Sequence, residues 1–81
     1  MGPEAVFDTL LAQIRDVVPE LGEHAFTRTE SMADLGVNSI ERSEVLLLTL
    51  DALGLKMSPV AFHGARNIGE LSDLIHAKLA A

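Results

Sequence analysis

The sequence contains no cysteine, which excludes disulfide bonds and thiolate metal ligands. Aromatic residues are limited to Phe7, Phe26 and Phe62, so a hydrophobic core has to consist mainly of leucine, valine, isoleucine and alanine. The longest uninterrupted apolar run, Val45–Leu48, is far too short to span a membrane. Because no basic stretch followed by an apolar one opens the chain, we expect no signal peptide and a cytoplasmic protein.

Basic residues are also scarce, with 6 Lys and Arg against 12 Asp and Glu, and the formal net charge is −6. Such a charge disfavours nucleic acid and anionic membrane surfaces as partners. It favours docking onto basic patches of other proteins, although it also serves solubility alone. From the charge and the length of 81 residues we expect a monomer with one domain, residues 1–81.

The spacing of apolar residues predicts an all-α fold, a four-helix bundle with three main helices and one short helix. Pro19 ends the first helix because proline lacks the amide that would continue it, and Gly54 terminates the second. Ser58 and Asn67 are caps for the last two. The predicted helices, in order, are Glu4–Val18, Asn38 or Ser39 to Leu53, Pro59–Phe62 and Ile68–Leu79.

Residues 19–37 form a long connection between the first two helices. Loops of this length are uncommon within a compact domain and are usually functional. Apolar residues along the loop are expected to fix it across the bundle, and Thr29 or Ser31 is expected to cap a short turn. These apolar residues are Leu21, Phe26, Met32, Leu35 and Val37.

The second helix carries two apolar faces when successive residues are placed 100° apart. One face contains Val45, Leu48 and Ala52 and is expected to lie in the core. The members of the other are Ser39, Ser43, Leu46 and Leu50, with Leu47 beside them. Since a surface helix needs only one apolar stripe, this second stripe is either covered by the short helix or exposed for docking. Both explanations stay open.

Ser39 stands at the start of the second helix, where serine is commonly a cap. Asn38 is an equally good cap, and its use would leave the Ser39 hydroxyl facing outward. Gly36 allows the loop to turn sharply into the helix. The positive potential at a helix amino terminus suits an attached phosphodiester. These features predict Ser39 as a modification site.

A catalytic role for Ser39 is not supported by its surroundings. A serine nucleophile needs a base and an oxyanion site, and no Gly-x-Ser-x-Gly elbow surrounds this serine. The histidines His24, His63 and His76 lack the i, i+4 spacing of a helical zinc site and are expected to face solvent. We therefore expect no catalytic residue and no metal ligand.

The segment from Asp34 to Ile40 resembles the phosphopantetheine attachment motif of acyl carrier proteins, usually written Asp-x-Leu-Gly-x-Asp-Ser-Leu. The order of predicted helices is similar to that family over nearly the whole chain. The resemblance implies 4′-phosphopantetheine bound covalently to Ser39 and transferred from coenzyme A by a phosphopantetheinyl transferase. It further implies a carrier of acyl thioesters that is not itself an enzyme.

Asn38 in place of the usual Asp, Ile40 in place of Leu, and an unusual Arg42 indicate a subfamily. Residues 38–45, 55–57 and 64–71 resemble the freestanding donor carriers of polyketide β-branching cassettes. That resemblance implies a malonyl group that a decarboxylating ketosynthase-like enzyme converts to acetyl. It also implies an acyltransferase and an HMG-CoA-synthase-like enzyme, which receives the acetyl group, as partners. The expected docking residues are Asn38, Ile40, Arg42, Ser43, Leu46 and Leu47.

Three other functions remain open at this point. A general polyketide or fatty-acid chain-elongation carrier and a peptidyl carrier would share the fold and the attachment chemistry. A helical adaptor that is never modified would share the fold alone. The acidic balance and the three subfamily segments favour an acyl carrier. Arg42, one turn after Ser39, is the residue expected to distinguish donor from acceptor carriers by pairing with or repelling their partners.

Overall fold

Pro3 opens the first helix, because its fixed φ suits the first helical position and its missing amide is not needed there. The computed structural model describes residues 2–80, and within them it contains helices and no strand. This confirms the predicted all-α fold. No helix in that range is both long and apolar enough to cross a membrane. The helices are α1 (Pro3–Val17), α2 (Ser39–Ala52) and α3 (Ile68–Ala80), with 3₁₀ helices at Pro19–Leu21 and Pro59–Phe62.

Local chemistry sets the helix ends close to their predicted positions. Gly54 follows α2 with a φ of +71°, a left-handed conformation that favours glycine. The Ser58 hydroxyl accepts a hydrogen bond from the Val60 amide at 3.4 Å at the start of the second 3₁₀ helix. Asn67 Oδ1 accepts a hydrogen bond from the Glu70 amide at 2.8 Å and caps α3. The caps predicted from the sequence at Ser58 and Asn67 are both formed.

The core lies where α1 packs against α2 and α3. On the core side of α2, the hydroxyl of Thr49 is fully buried. This hydroxyl donates a hydrogen bond to the Val45 carbonyl at 2.7 Å and is therefore satisfied. The apolar side chains fully removed from solvent hold the three helices together by the hydrophobic effect. They are Val6, Leu10, Ile14, Val45 and Ile75.

The long loop after α1 caps the amino terminus of α3. The carbonyls of Glu30 and Arg28 accept hydrogen bonds from the amides of Ile68 at 2.9 Å and Gly69 at 2.8 Å. The Arg28 guanidinium donates to the Gly69 carbonyl at 3.1 Å and to both carboxylate oxygens of Asp73 at 2.8 Å. Two amides that a helix start leaves unpaired are thereby satisfied by the loop backbone.

His24 fixes the same loop, although the sequence predicted that it faces solvent. Its Nε2 lies 2.9 Å from Glu30 Oε2, and its ring meets the Phe26 ring edge-on at 4.7 Å. Arg15 of α1 donates to the His24 carbonyl at 3.1 Å. The Thr27 amide donates to Glu30 Oε1 at 2.7 Å, and this bond is the main cause that lowers the pKa of Glu30. The side chain of His24 is 31% exposed, so the expectation that it faces solvent holds only in part, because the loop folds back on itself.

The buried faces differ in detail from the predicted ones. Val6 of α1 is fully buried, and Ala52 is exposed although it was expected on the core face of α2. Leu50, which was expected on the second stripe of α2, is buried. Helical spacing groups residues into stripes, but the packing of neighbouring helices decides which stripe is covered.

Candidate functional site

A tight turn delivers the chain into α2. The Ser31 hydroxyl accepts a hydrogen bond from the Asp34 amide at 3.0 Å, so Ser31 is the cap of this turn. The Val37 amide donates to the Met32 carbonyl at 3.0 Å, and the Val37 side chain is buried. Gly36 has a φ of +84°, which other residues rarely adopt. The turn therefore fixes the position at which α2 begins.

Asn38, and not Ser39, is the cap of α2. Asn38 Oδ1 accepts a hydrogen bond from the Glu41 amide at 2.8 Å, and Glu41 Oε1 accepts one from the Asn38 amide at 3.1 Å. This reciprocal capping box frees Ser39, whose side chain is exposed in the first helical turn. The amides of Ser39 and Ile40 have no partner among residues 2–80. They belong to the amino-terminal, positive end of the helix dipole.

Arg42 makes an intramolecular contact that the sequence did not reveal. One guanidinium nitrogen donates to the Val37 carbonyl at 2.8 Å, and the side chain is half-buried. This bond ties the first turn of α2 to the loop before it. This hydrogen bond orients Arg42 one turn from the serine. Arg42 also lines the groove beside Ser39.

An open groove of about 470 Å³ lies beside Ser39, bounded by α2, the second 3₁₀ helix and the start of α3. Its charged or ionisable lining residues are Arg42, His63 and Arg66, and no Asp or Glu from residues 2–80 lines it. The rest of the lining is largely apolar. The apolar side chains include those of Met32, Leu46, Val60, Phe62, Ile68 and Leu71.

Five of the six expected docking residues lie on two surfaces, and Ser43 belongs to both. Ile40 and Leu47 point outward and are 79% and 53% exposed, with Ser43 exposed between them. We call Ile40, Ser43 and Leu47 the outer face of α2. Leu46 is half-buried and, like Arg42 and Ser43, lines the groove, while Asn38 is exposed at the cap.

The second apolar stripe of α2 combines its two predicted explanations. Leu50 is buried and Leu46 is half-covered, as expected if the short helix packs on them, and α2 does contact that helix. Leu47 at the side of the stripe stays exposed. The stripe is therefore covered at its carboxyl-terminal end and accessible close to Ser39.

The sequence did not predict the wall of the groove that lies across from α2, which we call the far wall. His63 and Arg66 belong to it, and neither was assigned a functional role. A signal was present: residues 52–69 contain no Asp or Glu, although the chain has 12 of them. This acid-free segment includes Lys56 as well as the two groove residues. This charge pattern could have indicated a basic surface on an otherwise acidic protein.

The arrangement fits a phosphopantetheine group on Ser39. The hydroxyl is exposed and not used as a cap, two unpaired amides lie at its helix end, and a groove opens beside it. Within residues 2–80 no group of three or more His, Asp or Glu side chains that could hold a metal ion is found. The site can hold a covalently attached phosphate ester.

Comparison with known proteins agrees with this geometry. Residues 8–75 match the family described as phosphopantetheine attachment site. The polyketide biosynthesis acyl-carrier-protein AcpK of Bacillus subtilis (strain 168) is 33% identical over 79 residues, which cover 98% of this chain and 96% of that protein. A solved chain, from the crystal structure of the curacin biosynthetic pathway HMG synthase in complex with acetyl donor-ACP, has a TM-score of 0.91 and 34% identity, covering 95% of this chain and 99% of that one.

The helix order, the exposed serine after an asparagine cap and the family match over residues 8–75 lead to one conclusion. The match to an acyl carrier protein over 98% of the chain agrees with it. Carriers of this kind present an attached acyl group to enzymes and are not themselves catalysts. This chain belongs to the phosphopantetheine-bearing acyl carrier proteins and resembles the donor carriers among them.

Proposed function

We propose that this protein is the acetyl donor carrier of a polyketide β-branching pathway, with residues 1–81 as one carrier domain. The observation that carries the proposal is the likeness in fold, TM-score 0.91 at 34% identity, to a chain described as the acetyl donor-ACP in complex with an HMG synthase. The name of the Bacillus subtilis relative supports polyketide biosynthesis as the setting. Asn38 and Arg42 support the donor role over that of a chain-elongation carrier.

In this proposal Ser39 is the residue that receives phosphopantetheine from coenzyme A through a phosphopantetheinyl transferase. Asn38 caps α2, so the Ser39 hydroxyl is free to be esterified. The unpaired amides of Ser39 and Ile40 stabilise the negative charge of the phosphodiester. When bound, the group supplies a thiol that holds an acyl chain as a thioester.

The outer face of α2 is the surface proposed to dock the partner enzymes. Ile40 and Leu47 lie one above the other at a spacing of seven residues, and their exposure leaves them available for contact. The net charge of −6 favours enzymes with a basic patch around their entrance. The proposed partners are an acyltransferase, a decarboxylating ketosynthase-like enzyme and, as acetyl acceptor, an HMG-CoA-synthase-like enzyme.

The donor role is tested by an acetyl-transfer assay. The acetyl-loaded protein is offered to an HMG-CoA-synthase-like enzyme of a β-branching pathway, in parallel with an acetyl-loaded chain-elongation carrier. We expect faster turnover from this protein. Leu47→Ala should lower kcat/KM by about 5- to 30-fold, the effect of removing a good apolar contact at an interface. Leu74→Ala on α3, which removes another partly exposed leucine, is the matched control.

Equal turnover from the two carriers would contradict the donor assignment and favour a general chain-elongation carrier. Equal losses in Leu47→Ala and Leu74→Ala would instead contradict the docking face. Circular dichroism of both variants, recorded under the assay conditions, separates loss of docking from loss of fold.

A further inference from the structure

The groove beside Ser39 is electrostatically unlike the rest of the protein. Two of the 6 Lys and Arg residues, Arg42 and Arg66, line it together with His63, and none of the 12 acidic residues does so within the described range 2–80. Arg66 is 86% exposed and lies 3.6 Å from Glu70, a loose contact that leaves most of its guanidinium open. In an acidic chain, such a lining favours an anionic occupant.

The phosphodiester on Ser39 is not the anion best placed to contact all three of Arg42, His63 and Arg66. It is fixed by its bond to the serine, at the end of α2, where the amides of Ser39 and Ile40 are unpaired. His63 and Arg66 lie on the opposite wall, which is formed by the second 3₁₀ helix and the residues before α3. A second negative charge, further along the attached arm, would meet that wall.

The start of α3 cannot supply backbone donors for this anion. Its first amides, those of Ile68 and Gly69, donate to loop carbonyls, and the Glu70 amide donates to Asn67. An anion in the groove is therefore held by side chains. Arg42 is already oriented by its bond to the Val37 carbonyl, so little of its conformational freedom is lost on binding.

We propose that the groove binds the free carboxylate of an acyl group carried on the protein's own arm, and so distinguishes dicarboxylic acyl groups such as malonyl from neutral ones such as acetyl. The proposal rests on attachment at Ser39. The carboxylate contacts Arg66 and His63 on the far wall and Arg42 on the near wall. The apolar lining, including Leu46 and Phe62, covers the folded-back arm.

This selectivity has a functional consequence. A carboxylated acyl group is retained in the groove. The ion pairs are lost when a decarboxylating enzyme removes the carboxylate as carbon dioxide and a proton from solvent takes its place on the α-carbon. The neutral acyl group that remains is then released from the groove and becomes accessible to the enzyme that accepts it. The groove would thus favour delivery after decarboxylation over delivery before it.

Nitrogen-15 NMR of the loaded protein tests the proposal. Three forms are prepared: the free-thiol arm, an acetyl arm and a malonyl arm, the last two joined through an amide that does not hydrolyse. We expect the Nε–Hε signals of Arg42 and Arg66 to shift in the malonyl form only, and added salt to reverse the shift. Arg66→Gln should reduce the malonyl-specific shifts at the groove amides at least twofold. Lys78→Gln, which makes the same charge change in the last turn of α3 and outside the groove lining, should leave them intact.

Each outcome decides a separate point. Shifts of equal size in the Arg42 and Arg66 signals with the free-thiol arm would mean that these residues contact the phosphodiester, which all three forms share. That result would overturn the carboxylate proposal. Identical spectra for the acetyl and malonyl forms would also overturn it while leaving attachment at Ser39 intact. Failure of the protein to gain the mass of the arm during loading would instead refute the proposed function on which this inference rests.

Discussion

Replacing Gly69 with alanine should destabilise the protein, because the loop lies against this position of α3. A Cβ atom built there lies 2.8 Å from the Arg28 carbonyl oxygen and 2.8 Å from Arg28 Cβ, closer than real Cβ contacts. Overpacking of this kind costs about 1–3 kcal/mol. The Gly69 amide also donates to the Arg28 carbonyl, a bond contributing about 1 kcal/mol that the displacement would weaken.

The higher helix propensity of alanine offsets about 1 kcal/mol of that cost. The net loss is therefore expected to be about 1–3 kcal/mol, which corresponds to a fall in Tm of roughly 4–24 °C for a domain of this size. Thermal unfolding followed by circular dichroism measures it. Gly64→Ala is the matched control, since no atom lies within 4 Å of its Cβ position. A Gly69→Ala variant at least as stable as the wild type would show that the loop does not contact α3 as described.

Two further variants probe the cap of α2 and the loop. Asn38→Ala should cost about 1 kcal/mol of stability, measured by urea unfolding, because it removes half of the capping box with Glu41; an unchanged midpoint would refute the cap. The Thr27 amide lowers the pKa of Glu30, so this carboxylate stabilises the fold above its ordinary pKa, and the contribution is lost as the pH falls through the lowered pKa. Glu30→Gln should therefore lower Tm at neutral pH and match the wild type in acid; a constant difference at every pH would contradict this.

The features predicted correctly from the sequence depend on neighbours in the chain. Asn38 and Ser39 compete for one cap, and the side chain of asparagine reaches the third amide of the helix without help from distant residues. Gly54 ends α2, and Gly36 precedes it, because both positions need a positive φ. Local chemistry of this kind is readable from a short segment.

The features that were missed depend on distant contacts. Arg28 meets Asp73 across 45 positions of sequence, and no local pattern connects them. The groove arises only when α2, the second 3₁₀ helix and the start of α3 come together, so Arg66 could not be placed near Ser39 from spacing. The bond from Arg42 to the Val37 carbonyl depends on the path of the turn before α2.

The central claim, attachment of phosphopantetheine to Ser39, is tested most directly by mass spectrometry with site localisation. The protein is incubated with coenzyme A and a broad-specificity phosphopantetheinyl transferase, then digested and sequenced by fragmentation. Ser43 is the internal control, since it is exposed on the same helix one turn later. We predict one added phosphopantetheine group, found on Ser39, retained in Ser43→Ala and absent from Ser39→Ala. An unchanged mass, or a modified Ser39→Ala variant, would contradict the account.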